Sequence, residues 1–141
     1  MPDNKILVCD DEPHILHVVS AKLKSGGFEV LTAADGEEAL MLVREHWPDL
    51  IITDYQMPVL SGLELAAKLR ADPQTERIPI IMLTARGFSL GDQDLANTNI
   101  RKVLAKPFSP REVLQTVNTL LGVAGAAPAP APVAGSVESI P

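Results

Sequence analysis

The amino-acid sequence predicts an α/β fold in which a five-stranded parallel sheet is covered by helices on both faces. Five short apolar runs alternate with five segments of helical length over residues 1–122. Two of these runs, DLIITD (49–54) and IPIIMLTA (78–85), have consecutive apolar residues in their interior, so water is expected on neither face of these strands. Such burial is typical of a parallel sheet between two helical layers.

Each expected strand is a short run of apolar and β-branched residues that ends at a polar residue or a turn. The first run contains Cys9, the single cysteine of the chain, which we expect to be buried within the strand. The expected strands are KILVCD (5–10), FEVLTA (28–33), DLIITD (49–54), IPIIMLTA (78–85) and RKVLAK (101–106).

The expected helices carry recognisable start and stop signals. Pro13 suits a first helical turn, and the Gly26–Gly27 pair suits the end of that helix. Asp35, Ser61 and Ser109 are expected to cap the helices that follow the second, third and fifth strands. The segment RGFSLGDQDLANTN (86–99) is a poor helix candidate, because it has two glycines and no apolar stripe, so we expect a mobile fourth helix.

Composition limits the classes of function. The chain has 141 residues with 18 acidic and 12 basic side chains, and this net charge of -6 argues against a nucleic-acid-binding surface. A single cysteine excludes an internal disulfide framework and is compatible with a reducing cytoplasm. The start MPDNK does not resemble a signal peptide, and no apolar run reaches the length of a membrane span. We therefore expect a cytoplasmic protein that does not enter a membrane.

The composition changes sharply at residue 123. From there the sequence is VAGAAPAPAPVAGSVESIP, which is rich in alanine and proline and has one charged residue. Alternating Ala-Pro favours extended conformations and cannot form a core. We expect one domain over residues 1–122 and a flexible tail or linker over residues 123–141.

Polar residues lie where four of the expected strands end. Asp10 and Asp11 follow the first strand, Asp54 ends the third, Thr84 ends the fourth and Lys106 ends the fifth. In open parallel sheets the carboxyl ends of the strands form the functional crevice. Each of these residues could be an ordinary cap or turn residue, but the complementary chemistry of all four ends is hard to attribute to capping. We expect these five side chains to converge on one site.

This combination of groups predicts a metal-dependent phosphoryl acceptor. Three neighbouring carboxylates repel one another unless a cation intervenes, and Mg²⁺ prefers oxygen ligands and phosphate. A carboxylate beside such a cation can attack phosphorus and form an acyl phosphate. The ammonium and the hydroxyl would then stabilise the oxygens of the transferred group.

Four sequence stretches resemble the response-regulator receiver domain of two-component signalling, the family of CheY-like proteins. They are VCDDEP (8–13), IITDYQMPVLSG (51–62), IIMLTA (80–85) and VLAKPF (103–108), and the resemblance spans about residues 4–121. It implies a flavodoxin-like (βα)5 doubly wound fold with strand order 2-1-3-4-5, the order that this family is known for. It also implies a bacterial phosphoprotein that relays signals and is not an enzyme, apart from its own phosphorylation and dephosphorylation.

The resemblance assigns a role to each of these residues. It implies that Asp54 is the phosphoacceptor, that Thr84 and Lys106 contact the phosphoryl group, and that Pro107 follows a cis peptide bond. It implies that Mg²⁺ is held by two acids and one backbone carbonyl besides the acceptor. These metal ligands would be Asp10, Asp11, Asp54 and the carbonyl of Gln56.

Four further positions give this chain its individual character. Gln56, Ala85 and Arg86 occupy positions that in receivers modulate the access of water or phosphodonor to the acyl phosphate. We hypothesise that Arg86 contacts the phosphoryl group. A solvated loop arginine is the alternative. Val103 occupies the position of the usual aromatic switch, so signal output through the fourth helix and fifth strand is left open.

The resemblance also implies partners and leaves alternatives. A sensor histidine kinase or a phosphotransfer protein would donate the phosphoryl group, and an effector would bind the face made by helix 4, strand 5 and helix 5. Homodimerisation on phosphorylation is left open. One alternative is a phosphorylation-independent pseudo-receiver adaptor, which the valine at position 103 leaves open. The other is an aspartate-nucleophile phosphatase of the haloacid-dehalogenase type, whose Asp-x-Asp motif after the first strand is poorly matched by Asp10-Asp11-Glu12.

Overall fold

The computed structural model describes residues 4–85 and 90–122 and contains the expected alternation of strands and helices. The strands are β1 (Lys5–Cys9), β2 (Glu29–Ala33), β3 (Leu50–Asp54), β4 (Ile80–Thr84) and β5 (Ile100–Ala105). The helices are α1 (Pro13–Ser25), α2 (Gly36–His46), α3 (Gly62–Ala71), α4 (Asp92–Ala96) and α5 (Pro110–Leu121).

The five strands form one parallel sheet in the order β2-β1-β3-β4-β5, which confirms the flavodoxin-like fold. The central strands β3 and β4 are buried at all five of their positions. The apolar runs in the sequence predicted these two strands correctly, because a strand between two helical layers needs apolar side chains on both of its faces.

Alternate side chains of each strand belong to two separate cores, one on each face of the sheet. Ile6 and Val8 of β1 pack with residues of α1 and α5, whereas Leu7 and Cys9 pack with residues of α2 and α3. This alternation follows from the two-residue period of a strand. The helices therefore lie on both sides of the sheet, as expected.

The predicted helix caps are present. The side chains of Asp35, Ser61 and Ser109 accept hydrogen bonds from backbone N–H groups three residues later. Ser61 and Glu64 form a reciprocal capping box at the start of α3. These caps fix the points at which the chain leaves the carboxyl edge of the sheet, and so they help to position the loops there.

The fourth helical segment is short, as its sequence suggests. The helix α4 covers five residues, and none of them is buried. Arg86 and the residues up to 89 lie outside the described part of the chain, as do residues 123–141. No helix within residues 4–85 and 90–122 has the length and apolar character needed to cross a membrane.

Candidate functional site

A cleft of about 380 Å³ opens at the carboxyl ends of the strands. It lies at the edge where the crevice of an open parallel sheet is expected. Its lining contains carboxylates, an ammonium and exposed loop residues, and consists of Asp11, Glu12, Asp54, Tyr55, Gln56, Ala85 and Lys106.

The strand register brings the expected polar residues together. Asp54 is the last residue of β3 and pairs with Leu83 of β4, which places it one position before the level of Thr84. The backbone N–H of Lys106 donates to the carbonyl of Thr84 at 2.7 Å and so extends the ladder between β4 and β5. The backbone N–H of Asp10 donates to Ala33 at 3.1 Å and extends the ladder between β1 and β2. All these side chains therefore leave the sheet at one edge.

Three carboxylates form an oxygen-rich cluster that could hold a metal ion. One carboxylate oxygen from each of Asp10, Asp11 and Asp54 lies within 4.8 Å of the other two. Asp10 is fully buried and Asp54 is 7% exposed, whereas Asp11 is exposed to solvent. A cluster of carboxylate oxygens that opens to water on one side fits Mg²⁺, which keeps several waters and uses few protein ligands.

Lys106 is surrounded by three carboxylates. Its Nζ lies 3.1 Å from Glu12 Oε1, 3.2 Å from Asp54 Oδ1 and 3.4 Å from Asp10 Oδ2. The contact with Asp10 joins two partly or fully buried groups that are 96 residues apart in sequence. Lys106 therefore partly balances the negative charge of the cluster and ties the end of β5 to the ends of β1 and β3.

Burial determines the protonation of the carboxyl groups. Burial raises the pKa of Asp54 from its ordinary 3.8 to about 6; the charge of Asp10 adds to this rise, and Lys106 opposes it. Burial also raises the pKa of Asp10, against the hydrogen bond from the Glu12 backbone and the charge of Lys106. At neutral pH the Asp54 carboxylate is thus mainly ionised but poorly solvated, a state that favours reaction with an electrophile or binding of a cation.

Burial alone would lower the pKa of Lys106, but its surroundings outweigh this effect. The hydrogen bond to Glu12 and the charges of Asp10 and Asp54 raise the pKa of Lys106 well above its ordinary value. The side chain is therefore a permanent ammonium and donates hydrogen bonds in every protonation state of the cluster.

Thr84 supplies a hydroxyl that is not used elsewhere among the described residues. The residue is 1% exposed, and its Oγ1 is buried without a hydrogen-bond partner in the described part of the chain. A buried hydroxyl without a partner costs stability, so its position calls for an explanation. Thr84 lies at the end of β4, beside the strand that carries Asp54, and its neighbour Ala85 lines the cleft, although Thr84 itself does not.

The loop after Asp54 is held close to the sheet. The backbone N–H of Gly62 donates to the carbonyl of Tyr55 at 2.8 Å, and the N–H of Tyr55 donates to Leu83 at 2.8 Å. The hydroxyl of Thr53 lies 3.7 Å from the sulfur of Met57. The exposed residue Gln56 lies inside this loop and lines the cleft, as does the exposed Ala85 after β4.

Four further residues bear on the expectations drawn from the sequence. Glu12 contacts Lys106, although in the sequence it looks like an ordinary residue before a helix. The peptide bond between Lys106 and Pro107 is cis. Val103 is half-buried and packs against the core on the α2 and α3 side of the sheet, away from the cleft lining. Arg86 lies outside the described residues, so its expected contact with the phosphoryl group stays a prediction.

Comparison with known proteins places this site in a family. Residues 6–118 match the sequence model of the response regulator receiver domain. The phosphate regulon transcriptional regulatory protein PhoB of Rhizobium meliloti (strain 1021) is 41% identical over 117 residues, which cover 83% of this chain and 52% of that protein. The alkaline phosphatase synthesis transcriptional regulatory protein PhoP of Bacillus subtilis (strain 168) is 40% identical and covers 84% of this chain and 49% of its own.

Solved structures have the same fold. The chemotaxis response regulator CheY4 of Vibrio cholerae superposes with a TM-score of 0.78 at 36% identity, covering 84% of this chain and 99% of its own. The receiver domain of the sensor histidine kinase PA1611 from Pseudomonas aeruginosa PAO1 superposes with a TM-score of 0.76 at 30% identity, covering 86% and 99%. That structure has a magnesium ion coordinated in its active site cleft.

The present chain spans about half the length of the curated relatives that it matches. The family match covers most of the chain and all four strand ends that form the cleft. Fold, strand order and acidic cluster agree with the resemblance that the four sequence stretches indicated. Receiver domains are signalling switches and are not generally classed as enzymes. On the family match and the fold, this chain belongs to the response-regulator receiver domain family.

Proposed function

We propose that this chain is a phosphorylation-driven signalling switch that accepts a phosphoryl group on Asp54. The observation that carries the proposal is the Asp54 carboxylate itself. It lines an open cleft, its pKa is raised by burial, and it lies 3.2 Å from the permanent ammonium of Lys106. A poorly solvated carboxylate beside a fixed cation is suited to attack phosphorus.

In the proposed reaction, an oxygen of Asp54 attacks the phosphorus of a phosphohistidine in a sensor histidine kinase or phosphotransfer protein. The new O–P bond forms as the P–N bond breaks, and the imidazole leaves with the electron pair. Lys106 contacts the transferred group and neutralises part of its charge, and the free hydroxyl of Thr84 donates to one of its oxygens. Attack of water on phosphorus later breaks the bond between Asp54 and phosphorus, which releases inorganic phosphate and regenerates the Asp54 carboxylate.

Mg²⁺ is the proposed cofactor, and it would neutralise phosphoryl charge and orient the oxygens for in-line transfer. Asp10, Asp11 and Asp54 would hold it together with the backbone carbonyl of Gln56. The support for this assignment is the chemistry of the donor set, which contains only oxygen atoms and is open to water on the side of Asp11.

The output side of the proposal concerns the fourth helix and fifth strand. The added phosphoryl charge would draw Thr84 inward and shift a two-state equilibrium of the face formed by α4, β5 and α5, to which an effector binds. Val103 cannot rotate as an aromatic ring does, so we propose that backbone movement of β5 replaces a side-chain switch. Residues 1–122 would form the receiver domain, acting in the cytoplasm, and residues 123–141 would form a linker or tail.

Incubation with Mg²⁺ and acetyl phosphate, followed by intact-mass measurement, tests the proposal. The expected result is a phosphoryl adduct that is lost in Asp54→Asn and retained in Asp92→Asn, a matched change at an exposed aspartate of α4. An adduct that survives Asp54→Asn would contradict the assignment of the acceptor. No adduct on the unaltered chain would favour a phosphorylation-independent adaptor. Continuous release of phosphate from small esters would favour a phosphatase.

A further inference from the structure

We propose that Glu12 is a positioning residue that competes with the phosphoryl group for Lys106 and so sets the affinity of the site for that group. The inference deepens the proposed function and rests on it. Its basis is the set of contacts around the lysine, together with the different exposure of the three carboxylates that make them.

Lys106 already has carboxylate partners before any phosphoryl group arrives: it donates hydrogen bonds to Glu12 and Asp10 and forms an ion pair with Asp54. An ammonium has three N–H donors and no acceptor. Three carboxylate oxygens lie between 3.1 and 3.4 Å from Lys106 Nζ, one each from Glu12, Asp54 and Asp10. A phosphoryl group on Asp54 brings further oxygen acceptors to the same place, so these oxygens compete with the existing partners for Lys106.

The burial of the partners indicates which contact is given up. The side chain of Asp10 is fully buried, and its other oxygen already accepts the N–H of Glu12 at 2.9 Å, so this carboxylate is fixed. The side chain of Asp54 is 10% exposed and carries the phosphoryl group. The side chain of Glu12 is 61% exposed and can turn into water at small cost. Glu12 is therefore the partner that Lys106 releases.

The backbone at Glu12 supports a dedicated role for its side chain. Glu12 is the N-cap residue of α1, yet its side chain makes no capping hydrogen bond. Its backbone N–H donates to Asp10, and Pro13 follows it at the first helical position. The carboxylate thus leaves a fixed backbone position and contacts Lys106, which is 94 residues away in sequence.

Removal of the Glu12 carboxylate is expected to raise the affinity of the site for a phosphoryl group. In the unphosphorylated state, the Glu12 contact stabilises Lys106 in its present position. The same contact is lost, or weakened, when Lys106 turns to the phosphoryl oxygens. Removing the Glu12 carboxylate therefore destabilises the starting state and leaves the phosphorylated state nearly unchanged, so the site should bind a phosphoryl group more tightly.

Beryllofluoride, which adds to a carboxylate with the tetrahedral shape of a phosphoryl group, provides an equilibrium test. Its dissociation constant would be measured by ¹⁹F NMR at saturating Mg²⁺ for the unaltered chain, Glu12→Gln, Glu12→Asp and Glu37→Gln. Glu37 is an exposed glutamate in the first turn of α2 and controls for the change in net charge. Thermal unfolding checks that each variant is folded.

We expect Glu12→Gln to bind beryllofluoride about two- to fivefold more tightly, the range that corresponds to one partly exposed ion pair. Glu12→Asp keeps the charge but is one methylene shorter, so it should resemble Glu12→Gln, and Glu37→Gln should resemble the unaltered chain. Equal affinity in Glu12→Gln and the unaltered chain would overturn the inference. If Glu12→Asp binds beryllofluoride as the unaltered chain does, the inference is also overturned. A negative charge near the cleft, without the contact to Lys106, would then account for the affinity.

The two proposals fail in different ways. If the unaltered chain binds no beryllofluoride and takes no phosphoryl group from acetyl phosphate, the proposed function fails and the role of Glu12 fails with it. If the unaltered chain binds beryllofluoride and Glu12→Gln changes nothing, the proposed function stands and only the competition of Glu12 for Lys106 is wrong.

Discussion

Gly62, the first residue of α3, packs directly against the carbonyl oxygen of Asp54, the last residue of β3. A Cβ atom at position 62 would overlap that oxygen and would lie 3.0 Å from the sulfur of Met82. The loop between the two residues is closed by the hydrogen bond from Gly62 N–H to Tyr55. The start of α3 is therefore held in close contact with the strand end that carries Asp54.

Gly62→Ala should destabilise the protein by about 1–3 kcal/mol, because the obstacle is backbone that cannot move aside without shifting Asp54. Urea denaturation gives the free energy of unfolding. Gly91→Ala is the matched control, since a Cβ at that N-cap of α4 would meet its nearest atom at an ordinary 3.6 Å. Equal effects of the two substitutions would contradict the close approach at Gly62.

Asp54→Asn should stabilise the protein at pH 7.5 without Mg²⁺, on the order of 1–3 kcal/mol. The pKa of Asp54 is raised to about 6, so the folded state binds its proton more tightly than the unfolded state does. Ionisation of Asp54 therefore lowers the free energy of unfolding as the pH rises from about 4 to above 6. The gain from Asp54→Asn should vanish near pH 4. A gain that is the same at pH 4 and pH 7.5 would contradict the raised pKa.

Mg²⁺ should stabilise the unaltered chain more at pH 7.5 than at pH 5. Its proposed ligands must be ionised, and burial raises the pKa of both Asp54 and Asp10, so protons displace the metal at the lower pH. Thermal unfolding with and without Mg²⁺ at each pH measures the effect. Ca²⁺ at the same concentration is the comparison for ion selectivity. If Mg²⁺ raises the unfolding temperature by the same amount at both pH values, the metal binds at a site other than Asp10 and Asp54.

Thr84→Val should leave stability unchanged or raise it by up to about 1 kcal/mol, because the buried Oγ1 has no partner among the described residues. The same substitution should weaken beryllofluoride binding, since the hydroxyl is the proposed donor to the phosphoryl oxygens. Urea denaturation and ¹⁹F NMR measure the two effects on one sample. A loss of stability of several kcal/mol would indicate that the hydroxyl is already used in the unphosphorylated protein.

Sequence reasoning was most reliable where one physical requirement acts on many neighbouring residues. Double-sided burial requires the apolar runs of β3 and β4, and capping requires short polar side chains at Asp35, Ser61 and Ser109. Because the ends of parallel strands meet at one edge, the convergence of Asp10, Asp54 and Lys106 could also be expected.

Two left-handed backbone conformations could not be predicted from the sequence. Trp47 after α2 and Val59 in the loop after Asp54 have φ angles of 49° and 70°, a region in which large or β-branched residues are rare. Both side chains are also apolar and exposed, Trp47 at 47% and Val59 at 73%. Local propensity argues against such conformations, so tertiary constraints at the ends of the adjoining elements impose them.

The sequence by itself determined the alternating layers and the residues of the acidic cluster, because these depend on residue types at fixed spacing. The strand order was implied by the resemblance to the receiver family. Only the tertiary structure decided how the charges are shared. Glu12 and Asp10 reach Lys106 from more than 90 positions away, and the burial of Asp54 sets its pKa. Distances between side chains and their exposure to water arise from packing of the whole chain, and no local pattern of residues encodes them.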